Sequence, residues 1–257
     1  MCYDDNARPP VPEGATGAAH GEDLLLEAAD GNRFATYLAT PSVPASAQVL
    51  ILPDIRGLHQ FYKDLALRFA EIGVAAIAMD YFGRTAGLTA RDDSFEFMPH
   101  VQQTKPATIF ADAAASLAHL RAQTGADKAS FSVGFCFGGA LSFLCGTQDL
   151  ALTGVIGFYA GMARDFGNGT LLDQAGSIRT PALGLFGGAD QGIPAEQVEE
   201  FDRRLDAAGV AHEIVIYPGA PHSFFDRRFA EFAEASADAW DRVRTFIAAQ
   251  AAPVAAG

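Results

Sequence analysis

The sequence has few cysteines, no run of basic residues and no long apolar stretch, and each absence excludes a class of protein. Three irregularly spaced cysteines in 257 residues match neither a disulfide framework nor zinc-ligand spacing. A net charge of −13, from 18 basic and 31 acidic residues, disfavours nucleic acid and anionic membranes as partners. No apolar run approaches the ~18 residues of a transmembrane helix, and the first residues lack a signal peptide's apolar stretch. We therefore expect a cytoplasmic protein.

The composition and the spacing of apolar residues predict one large domain. Apolar residues make up 49% of the chain, enough for a sizeable core, and no linker divides it. We expect an extended or disordered N-terminal arm over residues 1–20, a single domain over residues 21–250 and a C-terminal tail over residues 251–257. Asp30-Gly31 lies between two apolar segments and predicts an antiparallel hairpin of residues 22–28 and 33–39.

Apolar runs and amphipathic stretches alternate through the rest of the chain. Strands are predicted at residues 48–53, 74–79, 128–133, 153–158, 181–186 and 212–217. Helices are predicted at residues 61–72, 106–123 and 195–208, after residue 139, and from the last strand to about residue 249. Residues 83–105 and 160–178 are predicted loops. Alternating strands and helices predict an α/β fold, a mostly parallel sheet with helices on both faces.

The hexapeptide Gly134-Phe135-Cys136-Phe137-Gly138-Gly139 connects a predicted strand to a predicted helix. This is the setting of a nucleophile elbow, with cysteine where serine is usual. The glycines permit a sharp turn, and the helix N-terminus favours a thiolate. The alternative is a buried structural cysteine in a glycine-rich turn.

A cysteine nucleophile needs a base, and the base needs an orienting acid. In the elbow-containing folds the chain order is nucleophile, acid, base, each after a strand. Asp190 follows the strand predicted at 181–186, and His222 follows the last strand. We predict Cys136, Asp190 and His222 as the catalytic residues. Alternatively, Asp190 is a turn residue and His222 is packed in the core.

Two backbone amides are predicted to bind the oxyanion that forms during acyl transfer. Phe137 follows the nucleophile, and Ile55 lies in the loop after the strand at 48–53. Asp54 precedes Ile55 and would accept the thiol proton or control when the thiolate forms. The alternative is that Asp54 caps the end of the strand.

Four separated segments, Leu-Pro-Asp-Ile-Arg-Gly, Gly-Phe-Cys-Phe-Gly-Gly, Gly-Gly-Ala-Asp and Pro-His-Ser-Phe, together resemble the dienelactone hydrolase family over about residues 22–250. The resemblance implies an α/β-hydrolase fold and a Cys136–Asp190–His222 triad. It also implies carboxymethylenebutenolidase-like hydrolysis of lactones or esters, without a metal or organic cofactor. Asp54 takes the place of an acidic residue that engages the resting thiol, a glutamate in the best-known members.

The family resemblance also implies arginines that bind a substrate carboxylate. One lies four positions after the histidine in the best-known members, where this sequence has Asp226 followed by Arg227. The candidates on pocket-side loops are Arg84, Arg91 and Arg227, and Phe82 and Phe224 are predicted to line the pocket. In the alternative, the arginines are solvated or paired with Asp92, Asp93 and Asp226, and the pocket, lined by Phe82, Phe224 and Phe225, is neutral.

We therefore predict a hydrolase with a cysteinyl thioester intermediate that takes a small-molecule ester or lactone, as a monomer or weak homodimer. Three alternatives remain at this stage: a promiscuous small-ester or thioester hydrolase with a neutral substrate, a PfpI-like α/β protein and a ligand-sensing protein with little turnover. PfpI-like proteins place histidine directly after the cysteine, where this chain has Phe137.

Overall fold

Strands and helices alternate along the chain in the computed structural model, which describes residues 6–15, 17–226 and 228–252. The strands are β1 (Ala19–Glu27), β2 (Arg33–Pro41), β3 (Ala47–Leu52), β4 (Val74–Met79), β5 (Ser130–Phe135), β6 (Gly154–Phe158), β7 (Ala182–Gly187) and β8 (His212–Tyr217). The helices are α1 (Gln60–Glu71), α2 (Gly83–Ala86), α3 (Met98–Val101), α4 (Pro106–Thr124), α5 (Phe137–Cys145), α6 (Leu171–Gln174), α7 (Ala195–Ala207) and α8 (Ala233–Ala251).

Within the described residues the strands form one sheet in the order β1-β2-β4-β3-β5-β6-β7-β8. β3 to β8 run parallel, and β2 pairs antiparallel with both β1 and β4. Every position of β3, β4, β5 and β7 is buried, which requires helices on both faces of the sheet. This arrangement confirms the predicted mostly parallel sheet with its N-terminal antiparallel hairpin. In the described part of the chain no helix has the length and apolar character needed to cross a membrane.

The carboxyl ends of the parallel strands meet at one edge, and the loops there differ from the prediction. The predicted loop over residues 83–105 contains the short helices α2 and α3. The predicted loop over residues 160–178 contains α6, whose first turn is capped reciprocally by Thr170 and Asp173. The pair Thr170 and Asp173 is a sequence signal for a helix start that periodicity alone does not reveal.

The last helix begins later than predicted. Residues 222–226 and 228–232 form turns, and α8 starts at Ala233. Ser223 has φ +61, a left-handed conformation that a continuous helix does not contain. The apolar spacing that extended the predicted helix toward the strand belongs partly to these turns, because Phe229 and Phe232 lie in them.

The described part of the N-terminal arm packs against the domain. Pro9 and Pro10 are buried, and Trp240 Nε1 in α8 donates to the Pro10 carbonyl at 3.0 Å. The Gly17 amide donates to the Glu71 carbonyl at 3.1 Å, and β1 already begins at Ala19. Cys2 lies outside the described residues.

Candidate active site

Cys136 occupies a strained turn between β5 and α5. Its backbone has φ +55 and ψ −112, a conformation that is rare outside glycine, and its amide donates to the Phe158 carbonyl at 3.0 Å. A Cβ atom at Gly134 would lie 1.9 Å from the Gly138 carbonyl oxygen, and one at Gly138 would lie 2.1 Å from the Leu52 carbonyl oxygen. Glycine is therefore required on both sides of the cysteine, and the turn presents the half-buried thiol at the N-terminus of α5.

Asp190 and His222 are hydrogen-bonded at the same edge of the sheet. His222 Nδ1 lies 2.6 Å from Asp190 Oδ2, while Asp190 Oδ1 accepts from the amides of Gly192 and Ile193 at 2.9 and 3.2 Å. The Asp190 side chain is 2% exposed, so both of its oxygens are held in one geometry. In neutral histidine this contact places the proton on Nδ1 and leaves Nε2 as the basic atom.

Close backbone contact joins the loops that carry the acid and the base. The Ala189 amide donates to the Ala220 carbonyl at 2.9 Å. A Cβ atom at Gly187 would lie 2.4 Å from the Ala220 carbonyl oxygen, so only glycine allows the two loops to approach this closely. The glycine pair that precedes Asp190 in the sequence thus helps to bring it to His222.

The loop after β3 carries Ile55 and is held by Asp80. Asp80 Oδ1 accepts from the Leu58 amide at 3.1 Å, and a Cβ atom at Gly57, which has φ +80, would lie 2.4 Å from that oxygen. Among the described residues no hydrogen bond is recorded from the amide of Ile55 or of Phe137. Phe137 directly follows Cys136, and Ile55 lies in the loop after β3, the strand that neighbours β5.

Asp54 is fully buried at the end of β3. Its Oδ1 accepts from the Arg56 amide at 2.8 Å, which is the contact expected of a residue that caps the strand end. Tyr81 lies close by and donates from its hydroxyl to the Pro53 carbonyl at 2.7 Å. Burial raises the pKa of Tyr81 well above its ordinary value, and the negative charge of Asp54 raises it further. Tyr81 therefore stays neutral beside the elbow.

Comparisons with known proteins agree with this arrangement. The profile of the dienelactone hydrolase family matches residues 34–251. The chain belongs to the dienelactone hydrolase family. A Methylorubrum extorquens protein provisionally named carboxymethylenebutenolidase is 30% identical over 76% of this chain and 69% of its own. One of the same provisional name from Salmonella typhimurium is 29% identical over 93% of this chain and 89% of its own.

The solved structures include a provisionally named dienelactone hydrolase from Klebsiella pneumoniae. It superposes with a TM-score of 0.79 at 25% identity and covers 90% of this chain and 99% of its own. This similarity confirms the predicted α/β-hydrolase fold. Membership of the dienelactone hydrolase family confirms the predicted activity class, an ester or lactone hydrolase.

Two of the arginines that were predicted to bind substrate, Arg84 and Arg91, form ion pairs in the structure. Arg91 is 3% exposed, and its Nε and Nη2 bond the two carboxylate oxygens of Asp80 at 3.1 and 2.9 Å. Arg84 bonds Asp30 in the hairpin turn and the buried Asp112 in α4, each at 2.8 Å. Neither guanidinium is brought to the triad, and their partners are not those predicted from the sequence. The third candidate, Arg227, lies outside the described residues.

The two predicted pocket-lining phenylalanines are fully buried. Phe82 packs against Phe95, with ring centroids 5.6 Å apart, and Phe224 packs against Tyr217 at 5.0 Å. Both contribute to the core beneath the site. A cavity of about 540 Å³ runs instead along Asp190 and His222, with Arg228 on its wall.

One residue beside His222, Tyr159, was missed in the sequence. The Tyr159 ring lies 4.9 Å from the His222 ring, and the Tyr159 hydroxyl donates to Asp226 Oδ2 at 3.1 Å. Tyr159 has φ +36, and Asp226 is 1% exposed. The position of Tyr159 directly after β6, at the edge that carries the elbow, was the available signal.

A second missed residue is Arg164, in the loop after β6. Its guanidinium lies over the Phe137 ring, 4.9 Å from the centroid. Phe137 directly follows Cys136, so this arginine borders the elbow. Any polar residue in a loop after a parallel strand is a candidate for the site, but the sequence offers no reason to prefer this one.

Cys145, at the end of α5, has the opposite environment to Cys136. It is completely buried, and burial raises the pKa of its thiol to about 12. Because the thiolate is the reactive form of cysteine, Cys145 is inert near neutral pH.

Proposed function

We propose that the protein hydrolyses carboxylic esters or lactones through a thioester formed on Cys136, with His222 as the base and Asp190 as the orienting acid. The hydrogen-bonded His222–Asp190 pair at the edge of the sheet that carries the strained elbow is the observation that supports this most strongly. The provisional name of the relatives suggests the substrate class, an unsaturated lactone with a carboxyl substituent.

The first half of the proposed reaction transfers the acyl group to sulfur. His222 Nε2 takes the thiol proton, and the Cys136 thiolate attacks the carbonyl carbon of the substrate. The negative charge then develops on the carbonyl oxygen, where the amides of Ile55 and Phe137 would stabilise it. Asp190 holds the histidine tautomer and stabilises the imidazolium. When the tetrahedral intermediate collapses, the C–O bond breaks and the leaving oxygen takes the proton from His222.

The second half releases the acid. His222 removes a proton from water, the hydroxide attacks the thioester carbonyl, and the sulfur leaves as thiolate and is reprotonated. In a lactone the leaving oxygen remains in the same molecule, so the product is the ring-opened hydroxy or keto acid. A thiolate attacks activated esters readily but expels an amide nitrogen poorly, which is why we propose esters and lactones rather than peptides.

Asp54 is proposed to control the thiol. It is fully buried at the end of β3, the strand that neighbours the elbow strand β5, and it takes the place of the acidic residue that engages the resting thiol in the family resemblance.

Turnover of 4-nitrophenyl acetate by the wild type, Cys136→Ala and Cys145→Ala tests the proposal. We expect Cys136→Ala to lose activity by about 10³-fold or more, since it removes the nucleophile, and Cys145→Ala to retain it. Mass spectrometry of the acid-quenched wild type should find the acetyl group on Cys136. Wild-type turnover by Cys136→Ala would contradict the mechanism, and release of a single equivalent of nitrophenol without further turnover would favour a ligand sensor.

A further inference from the structure

A second cavity borders the elbow at Phe137. It has a volume of about 230 Å³ and lies between the loop after β6 and the start of α4. Phe137, Arg164, Phe166 and Lys105 contribute to its wall. Because Phe137 directly follows Cys136, a substrate held at Cys136 with a substituent that extends past the Phe137 ring would place that substituent in this cavity.

Arg164 brings a positive charge to this cavity without a carboxylate to neutralise it. Its Nη2 donates to the Val101 carbonyl at 2.8 Å and more weakly to Thr104 Oγ1 at 3.4 Å, and both acceptors are neutral. Across the described chain no acidic oxygen lies within 4 Å of the guanidinium, and its Nε and Nη1 donate no hydrogen bond. Partial burial lowers the pKa of Arg164 from its ordinary value, but a guanidinium remains protonated near neutral pH.

Two aromatic rings hold the guanidinium in place. Its central carbon lies 4.9 Å from the Phe137 ring centroid and 5.9 Å from that of Phe166. Contact with aromatic faces stabilises the cation and fixes its plane, and the N–H groups at its edge are left for an acceptor. A planar, fixed guanidinium is well suited to the two oxygens of a carboxylate.

The remaining charges around this cavity are mixed but favour an anion. Lys105 is exposed at its rim, and both α4 and α5 begin at its wall with their positive ends. Asp165 also lies on the wall, and its Oδ1 accepts from the amides of Gly167 and Gly169 at 2.7 and 3.1 Å, within its own turn. In a chain of net charge −13, this is a local positive surface beside the nucleophile.

We infer that Arg164 is a specificity-determining residue that binds a carboxylate substituent of the ester or lactone in this cavity. The inference rests on the proposed function, since it assigns the substrate class of the same site. Arg84 and Arg91, the arginines predicted from the sequence to bind a carboxylate, form ion pairs within the fold. The inference assigns that role to Arg164, in the loop after β6.

Mono-4-nitrophenyl glutarate and its methyl ester provide a matched pair of substrates that differ in one charge. We expect Arg164→Gln to lower kcat/KM for the acid by about 10- to 100-fold, the kinetic equivalent of losing one charge-assisted hydrogen bond, and to change the ester by less than about twofold. Arg164→Lys should restore part of the preference for the acid. The control is Arg179→Gln, because Arg179 also bonds only carbonyls but lies before β7, at the opposite edge of the sheet. It should leave both substrates unchanged.

A second measurement does not depend on turnover. Glutarate should slow the alkylation of Cys136 by iodoacetamide in the wild type and in Arg179→Gln, but not in Arg164→Gln. If Arg164→Gln lowers kcat/KM equally for the acid and the ester, Arg164 only supports Phe137 and the inference is overturned. An unchanged preference for the acid over the ester in Arg164→Gln would overturn it too. If no variant hydrolyses either ester but glutarate still protects Cys136 through Arg164, the proposed function fails and the carboxylate site stands.

Discussion

Removal of the Arg91 charge is expected to destabilise the fold and to leave the choice of substrate unchanged. Arg91 and Asp80 are 3% and 1% exposed, and two hydrogen bonds join them. Arg91→Met keeps much of the side-chain volume but leaves the Asp80 carboxylate buried with only amide partners. Breaking a buried ion pair in this way costs roughly 3–5 kcal/mol, a large part of a typical unfolding free energy of roughly 5–15 kcal/mol.

The structure also predicts how this cost combines with a second change. Asp80→Asn removes the negative charge that Arg91→Met leaves behind, so the double variant should be more stable than the sum of the single variants predicts, by roughly 1–3 kcal/mol. Urea unfolding followed by the fluorescence of Trp240, the one tryptophan in the sequence, measures all three variants. The control is Arg203→Met, because Arg203 is 62% exposed in its pair with Glu200 and such surface pairs contribute roughly 0–1 kcal/mol.

One result would refute this reasoning. If Arg91→Met unfolds within about 1 kcal/mol of the wild type and selectively loses activity on the carboxylate substrate, then Arg91 binds substrate as the sequence suggested. In that case the ion pair with Asp80 would not be the state in which the enzyme acts.

Three further predictions concern the triad and a buried acid. Iodoacetamide should inactivate the native protein by alkylating Cys136 and not Cys145, because a pKa of about 12 keeps the Cys145 thiol protonated. Peptide mapping identifies the alkylated cysteine, and inactivation with Cys136 unmodified would refute this prediction. Asp190→Asn should keep its circular dichroism spectrum and lower kcat by about 10²–10⁴-fold, because His222 loses its orienting acid; an unchanged kcat would exclude Asp190. Burial raises the pKa of Asp112 to about 6 from 3.8, so the folded state holds this proton more tightly and the free energy of unfolding should fall by about 2 kcal/mol between pH 4 and 6. Urea unfolding across this range should show the fall in the wild type and not in Asp112→Asn, and parallel profiles would contradict it.

The sequence predicted the elements of the site that depend on local pattern. Cys136, Asp190 and His222 each follow an apolar strand, and the glycines around them are required by contacts that the structure shows at Gly134, Gly138 and Gly187. An apolar strand followed by glycine and a reactive residue can be recognised in a sequence because the strand pattern and the glycine lie within a few positions of the reactive residue.

The arginines could not be assigned in this way, because an ion pair depends on positions that are distant in the sequence. Arg84 bonds Asp30 in the hairpin and Asp112 in α4, and Arg91 bonds Asp80, whose oxygens also accept from two loop amides. Only the packed fold brings these groups together. The same holds for Arg164, which is placed by its contact with the Phe137 ring and by no motif in its own loop.

The hydrogen bond from Trp240 to Pro10 has a consequence for how the chain acquires its structure. Its two residues are 230 positions apart, so on the ribosome Pro10 emerges long before Trp240. Pro10 therefore has no partner on α8 until the intervening chain has been made, while the strands from β3 onward emerge in sequence and can pair as they appear. Loop closure over such a span is unfavourable before the intervening chain is folded. Docking of Pro10 is then a late event that follows the release of α8, and the environment of Trp240 reports its completion.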